Sequence, residues 1–325
     1  MKKNTNLVLA LFLAAVFCTG SINTAWAAFP ERPITLIIAF GPGGATDLTA
    51  RALAKALEKK LGQPVIPVNK PGAGAAVAVS AIASAKPDGY SVGTTLSAPA
   101  LTPHTMDVPY DVDSFDYIIL NGKYLYGVAV KSDSPFKTLK DFVSYAKQNP
   151  GKVKYSSSGP ATPNNLAMLL LGKVAGVQWD NVSFKSGAEA GTAALGGHVD
   201  AASVNPVDVI SLIEAGRMRL LASLSDARWK WVPDVPCAKE LGYNVQMSGW
   251  MGFGAPKGVP KPILEKLREA FKEASRDPEF LENLEKFYMI PDYKSGDEYK
   301  RVLQEDSKLN EKLLLEFGLH KSQKK

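Results

Sequence analysis

Two short stretches of the chain concentrate groups that could hold an anion. Residues 41 to 47 read Gly-Pro-Gly-Gly-Ala-Thr-Asp, and residues 156 to 165 read Ser-Ser-Ser-Gly-Pro-Ala-Thr-Pro-Asn-Asn; each follows an apolar run and precedes a helical one. At a strand-to-helix junction the first backbone N–H groups of the helix have no intrahelical partner, and the helix dipole is positive there. Such a junction suits a carboxylate or a phosphate. Gly43 and Gly44 carry no side chain to keep a ligand off the backbone, and Thr46 or Asp47 can cap the helix. Singly, each stretch is equally a capped tight turn. Paired in opposite halves of the chain, they suggest a clamp around a small acid. Thr94 to Pro99, with Ser97, is a third candidate of the same kind, and a capped turn is its plain alternative.

Other chemistries find little support. No Gly-Lys-Ser/Thr follows the first loop, so it is not a phosphate-binding P-loop, and Gly72 to Val77 lacks the third glycine of a dinucleotide fingerprint. His104, His198 and His320 show no metal-ligand spacing, no Gly-x-Ser-x-Gly elbow occurs, and Cys237 reads as structural. The expectation is therefore no catalytic residue, no cofactor and no metal. Lys185 ends a second-half strand and is either an anion-facing group or a surface lysine. Trp229, Trp231, Tyr243 and Trp250 fill the core or the junction between halves, with Trp250 also in reach of a cleft.

The elements that must position these loops follow from periodicity. Ile34 to Phe40 reads as a buried strand and the segment up to Leu61 as a helix, because Leu53, Leu57 and Leu61 share one face and Gly62 stops it. Val65 to Val68, Ala75 to Ala85 and Val92 to Leu96 continue as strand, helix and strand, which implies a parallel sheet covered by helices. The rhythm restarts from Leu125 to Leu224, implying a second lobe. The last third holds a strand near Trp250 to Ala255 and three helices, at 261–275, 278–286 and 296–317, expected to pack back on the first lobe, which has only three strands before the rhythm restarts. The expected division is residues 28–124 with 246–325 for lobe I and 125–245 for lobe II.

Composition agrees with a folded globular chain: 325 residues, 46% hydrophobic and 22% charged. Lys2 and Lys3, the apolar run Leu7 to Phe17 and Ala25-Trp26-Ala27 form a signal peptide over residues 1–27, with cleavage after Ala27 and export to the periplasm expected. Cys18 leaves with it, so Cys237 stands alone and no internal disulfide forms. The formal charge of +6 falls to +4 once Lys2 and Lys3 are removed, and the remaining charges are mixed, which argues against nucleic acid as a partner.

Several ordered motifs then resemble the solute receptors of tripartite tricarboxylate transporters, the Bug proteins. They are Phe29-Pro30-Glu31-Arg32-Pro33-Ile34, the Gly-Pro-Gly-Gly-x-x-Asp loop, Asn69 to Gly74, Pro87-Asp88-Gly89-Tyr90, Leu195 to Asp200, Ala215 to Ala222, Trp250 to Pro256 and Asp277-Pro278-Glu279. The resemblance implies an α/β, two-lobed periplasmic binding protein of type II, a Venus flytrap with two crossings between its lobes. It implies a monomeric receptor that holds a small organic carboxylate and delivers it to membrane-embedded transporter subunits. By position it assigns ligand contacts to Gly43, Gly44, Thr46, Asp47 and Ser97 in lobe I. In lobe II it assigns them to Ser158, Thr162, Asn165, Lys185 and Asn205. Asn165 stands where many relatives have histidine. A sensory receptor for a membrane kinase and a secreted α/β hydrolase are the competing readings; the hydrolase requires a histidine beside a cleft serine.

Overall fold

The apolar run after Pro33 forms β1 (Ile34–Ile38), which pairs in parallel with β2 (Val65–Asn69) and β3 (Ser91–Thr94). The structure, a computed structural model, describes residues 29–323; the proposed signal peptide, Cys18 and the cleavage point after Ala27 lie outside the described residues. Between these strands run α1 (Ala45–Leu61) and α2 (Ala76–Ala83). In α1 the four-residue spacing buries Leu53, Leu57 and Leu61 against the sheet. Gly62 closes the helix in the left-handed conformation, φ 66°, and its N–H bonds Glu58 O.

Next come α3 (Ala98–Thr105), β4 (Phe115–Leu125) and β5 (Gly127–Lys131). The second lobe continues with α4 (Leu139–Gln148), β6 (Lys154–Ser157), α5 (Pro163–Ala175), β7 (Asp180–Ser183) and α6 (Gly187–Leu195). It ends with β8 (Ala201–Val204), α7 (Pro206–Glu214) and β9 (Met218–Ser223). The chain returns through β10 (Ser248–Pro256) to α8 (Lys261–Ala274), α9 (Pro278–Lys286), β11 (Ile290–Ser295) and α10 (Gly296–Glu316).

The strands form two sheets, ordered β11-β4-β10-β3-β1-β2 and β7-β6-β8-β5-β9. The two-lobed α/β architecture expected from the sequence is present, with two corrections. The first sheet has six strands, β4 and β11 joining the three at its start and the strand near Trp250, and neither sheet is wholly parallel: β10 runs antiparallel to β3 and β4, β11 to β4, and β5 to β8 and β9. Strands that cross between lobes, or return from the other lobe, enter each sheet without a covering helix, so no right-handed parallel crossover governs them. The C-terminal helices do pack on the first lobe, α8 and α9 against α1 and α10 against α3 and β4.

The two crossings lie side by side. β4 passes through Tyr126 into β5, and Leu125 pairs with Ser248 at the start of β10. Ser225, fully buried, joins them: its hydroxyl accepts from Tyr126 N (2.9 Å) and donates to Met247 O (2.7 Å). Leu224 N–H also bonds Tyr126 O, and Met247 N–H bonds Leu224 O, each at 2.8 Å. Lys123 on β4 pairs with Asp226 at 2.7 Å just outside this knot.

The lobes touch. Gly41 N–H donates to Lys185 O across the gap at 2.8 Å. A Cβ on Gly159, whose φ is 144°, would come within 2.6 Å of the Gly74 Cα on the other lobe, so only glycine permits this approach.

Candidate functional site

Five helices begin at one cavity between the lobes. Gly44, Ser97, Thr162, Ser186 and Asn205 are the N-cap residues of α1, α3, α5, α6 and α7, and all five line it. The first two belong to the first lobe and the other three to the second. Each helix start carries roughly half a positive charge and unpaired N–H groups. At Gly44 and Thr162 no side chain caps the first turn, whereas at Ser97 the first turn of α3 is already engaged: Ala98 N–H bonds Thr95 O (3.3 Å), Ala100 N–H bonds Ser97 O (3.1 Å) and Pro99 has no N–H. Ser186 by contrast accepts from Glu189 N (3.2 Å).

The wall contains no charged residue and no histidine among the described residues. It includes Phe40, Tyr124, Tyr126 and Trp250 as its aromatic portion and Thr46, Ser158 and Asn164 as its further polar one. Anion attraction here must come from backbone dipoles and hydroxyls rather than from arginine or lysine. Burial lifts the phenols of Tyr124 and Tyr126 well above their ordinary value, so both stay neutral donors. The Tyr124 hydroxyl lies 3.2 Å from Thr46 Oγ1 and donates to Met251 Sδ at 2.9 Å. Trp250 N donates to Ser97 Oγ (3.1 Å), and its indole N–H bonds the Asp306 carboxylate on α10.

Backbone strain gathers at the same place. Leu96 and Ala75, both in the wall, hold φ of 55° and 83°, a region L-residues rarely occupy. Leu96 is held there by Tyr299, whose hydroxyl donates to Leu96 O at 2.5 Å.

Of the residues singled out from the sequence, Gly44, Thr46, Ser97, Ser158, Thr162 and Asn205 lie in the cavity wall. The other four stand just outside it. Gly43, φ 82°, donates its N–H to Asp47 Oδ2 at 3.0 Å. Asp47 also accepts from Arg51 Nε and Asn69 Nδ2, each at 2.8 Å, so its carboxylate organises the loop. Asn165 Oδ1 accepts from the Tyr155 hydroxyl and its Nδ2 donates to Pro160 O, both at 2.6 Å. Its neighbour Asn164 faces the cavity instead, accepting from Ser158 Oγ (3.1 Å) and donating to Ser203 O (2.6 Å). Lys185 contributes its main chain to the lobe contact, while Ser186 and Gly187 after it reach the wall.

Residues not found from the sequence are Tyr124, Tyr126, Asn164, Gly187 and Asp208. Asp208, the third residue of α7, lies behind Asn205 and Gly187. Its Oδ2 accepts from Asn205 N (3.0 Å) and Nδ2 (3.3 Å), and a Cβ on Gly187 would sit 2.1 Å from that oxygen. Its Oδ1 and the Asn205 Oδ1 are buried without a hydrogen-bonding partner. Burial raises the Asp208 carboxyl to about 6, against the opposing pull of the Asn205 donors and of the Ala45 N–H of the facing lobe. An acidic residue three places after an N-cap was the available signal.

The free volume between the lobes is about 40 Å³. That accommodates a few water molecules but falls well below the roughly 150 Å³ that admits a benzene-sized guest. A dicarboxylate would require the lobes to part and close again around it.

The family model described as tripartite tricarboxylate transporter family receptor matches residues 49–319. A Cupriavidus necator protein encoded in the gbd 5' region is 38% identical over 296 residues, covering 91% of this chain and 90% of that one. The periplasmic binding protein BugD superposes with a TM-score of 0.85 at 28% identity, covering 90% of this chain and 99% of BugD. MatC from Rhodopseudomonas palustris, solved with bound malate, gives 0.82 at 26% identity, covering 88% of this chain and all of MatC (100%).

Proposed function

The chain belongs to the tripartite tricarboxylate transporter receptor family, and we propose that it captures a small organic carboxylate between its lobes and presents it to membrane-embedded transporter subunits. It does so as a monomer in the periplasm, after loss of residues 1–27. Lobe I comprises residues 28–124 and 246–325, and lobe II residues 125–245. No bond is made or broken.

The observation that carries this reading is the convergence of five helix starts, from both lobes, on one uncharged cavity. Preorganised N–H groups bind a carboxylate without reorganisation, and a wall free of basic side chains allows the acid to leave again. The likeness to MatC, which binds malate, favours a short dicarboxylate. Because such an acid contacts both lobes only when they are closed, it stabilises the closed state by its differential affinity.

In the binding step, the amides at the start of α1 and the hydroxyls of Thr46 and Ser97 meet one carboxylate. Ser158, Thr162 and the starts of α6 and α7 meet the ligand from lobe II. Gly43, Asp47, Asn165 and Lys185 act by shaping the two loops. The wall aromatics cover the carbon chain.

The test is thermal unfolding of protein stripped by denaturation and refolding, scanned against mono-, di- and tricarboxylic acids. At least one di- or tricarboxylate is expected to raise the midpoint with saturable 1:1 dependence. No shift with any acid would overturn the proposal.

A further inference from the structure

Two of the three histidines, remote from each other in sequence, come together on the outside of the first lobe. His104 sits near the end of α3 and His320 just beyond α10, with ring centroids 5.9 Å apart. The Glu311 carboxylate on α10 joins them, and one donor atom from each of the three residues falls within 4.8 Å of the other two. We propose that His104, Glu311 and His320 bind a divalent first-row transition metal ion, Zn²⁺ foremost, at a site separate from the carboxylate cavity.

The donor chemistry selects the ion. Two imidazoles and a carboxylate suit zinc, copper and nickel far better than calcium or magnesium, which take oxygen ligands. Three protein ligands leave one tetrahedral position for water, and Glu311 is exposed to solvent, as an open position requires.

Ser307 orients the His104 ring as an outer partner does in a metal site. His104 Nε2 lies 2.8 Å from Ser307 Oγ, and His320 Nδ1 lies 2.7 Å from Ser322 Oγ. Ser307 occupies His104 Nε2 and leaves Nδ1 for a metal; His320 Nδ1 accepts from Ser322 N–H (3.2 Å), so this ring must turn away from Ser322 to present a free nitrogen. Burial, together with His320 and Lys321, lowers the His104 imidazole below its ordinary value against the pull of Glu311, which favours the neutral ligand form. Lys321, the cation beside the group, is engaged by Asp107 at 2.8 Å. Zinc–nitrogen bonds of about 2.0–2.1 Å in a tetrahedron bring donors to roughly 3.3 Å of one another. The three arms must therefore draw in by up to about 1.5 Å, which the exposed Glu311 and the half-buried His320 can supply by side-chain rotation.

A bound ion would tie α3 to the far end of α10 and to the segment after it. Since the other end of α3 carries Ser97 in the cavity wall, the metal would pin a helix that the ligand also touches.

Isothermal titration of untagged protein with ZnCl₂, after EDTA treatment and dialysis, tests the site. The expected result is one saturable ion per chain and a thermal midpoint raised by roughly 3 °C or more at a hundredfold excess over Kd. Affinity should fall at least tenfold in Glu311→Gln and in His320→Ala, neither of which disturbs the core, and stay unchanged in His198→Ala. The proposal is overturned if no saturable binding occurs, or if His320→Ala binds as tightly as the parent protein.

Discussion

Asp208 shows how a single buried carboxyl couples the two lobes to pH. Its neighbours are Asn205 on its own helix, Gly187 at the start of α6, the Ala45 N–H of the facing lobe, and the neutral phenols of Tyr124 and Tyr126. Its folded-state value of about 6 lies above the ordinary 3.8. The folded protein therefore holds this proton more tightly than the unfolded chain. The penalty is absent below about pH 4, grows as pH rises, and is complete above about pH 6. Asp208→Asn keeps an acceptor for Asn205 without the charge. It is expected to be more stable than the parent by about 1–3 kcal/mol at pH 8, with the gap vanishing near pH 4, as read from urea melts at the two values. At the cavity wall, Ser158→Ala is expected to weaken carboxylate binding about tenfold with little loss of stability, measured by calorimetry. Asn165→Ala reverses that pattern. It frees the Tyr155 hydroxyl and Pro160 O, so stability falls by about 1–3 kcal/mol. Which of the two adjacent asparagines faces the cavity was not legible in Asn164-Asn165, because both follow Pro163 in the first turn. The choice is made by partners distant in sequence, Ser203 for one and Tyr155 for the other.

At the scale of elements, the helix starts were readable because capping chemistry is local. Gly44, Thr162 and Asn205 each announce a junction within a few residues. Two elements were not announced. α3 carries Pro99 in its first turn and Pro103 further in, a composition that argues against helix; packing against α10 overrides it. β4 contains Asn121-Gly122, which reads as a turn, yet the strand continues because Gly122 leaves room for Met289, whose Cε would lie 2.5 Å from a Cβ there. Tyr124 and Tyr126 went unnoticed for the same reason, since their position depends on β4 crossing to β5. The crossing makes its own demand: Ser225 serves both connecting strands with one hydroxyl. Ser225→Ala leaves Tyr126 N–H and Met247 C=O unpaired in a buried place, and is expected to cost about 1–3 kcal/mol in denaturant unfolding. Ser225→Thr, which keeps the hydroxyl, should cost less.

At the scale of the whole molecule, the alternation of strand and helix carried the two-lobed architecture. The mixed sheets were hidden, because the partners of β4, β10 and β11 are set by chain crossings and not by periodicity. The Gly41–Lys185 contact spans the lobes and the free volume between them, about 40 Å³, is too small for a dicarboxylate, so binding requires the lobes to move. Small-angle scattering on stripped protein should therefore report a larger radius of gyration than with saturating acid, and equal values would count against a hinged closure. Among the described residues no helix is long and apolar enough to cross a membrane. The most direct measurement of the central claim is a crystal structure with the acid that thermal scanning selects. The expected result places one carboxylate within about 3 Å of backbone N–H groups from both residues 44–46 and residues 162–187. A carboxylate bound outside the cavity, or touching one lobe alone, would contradict it.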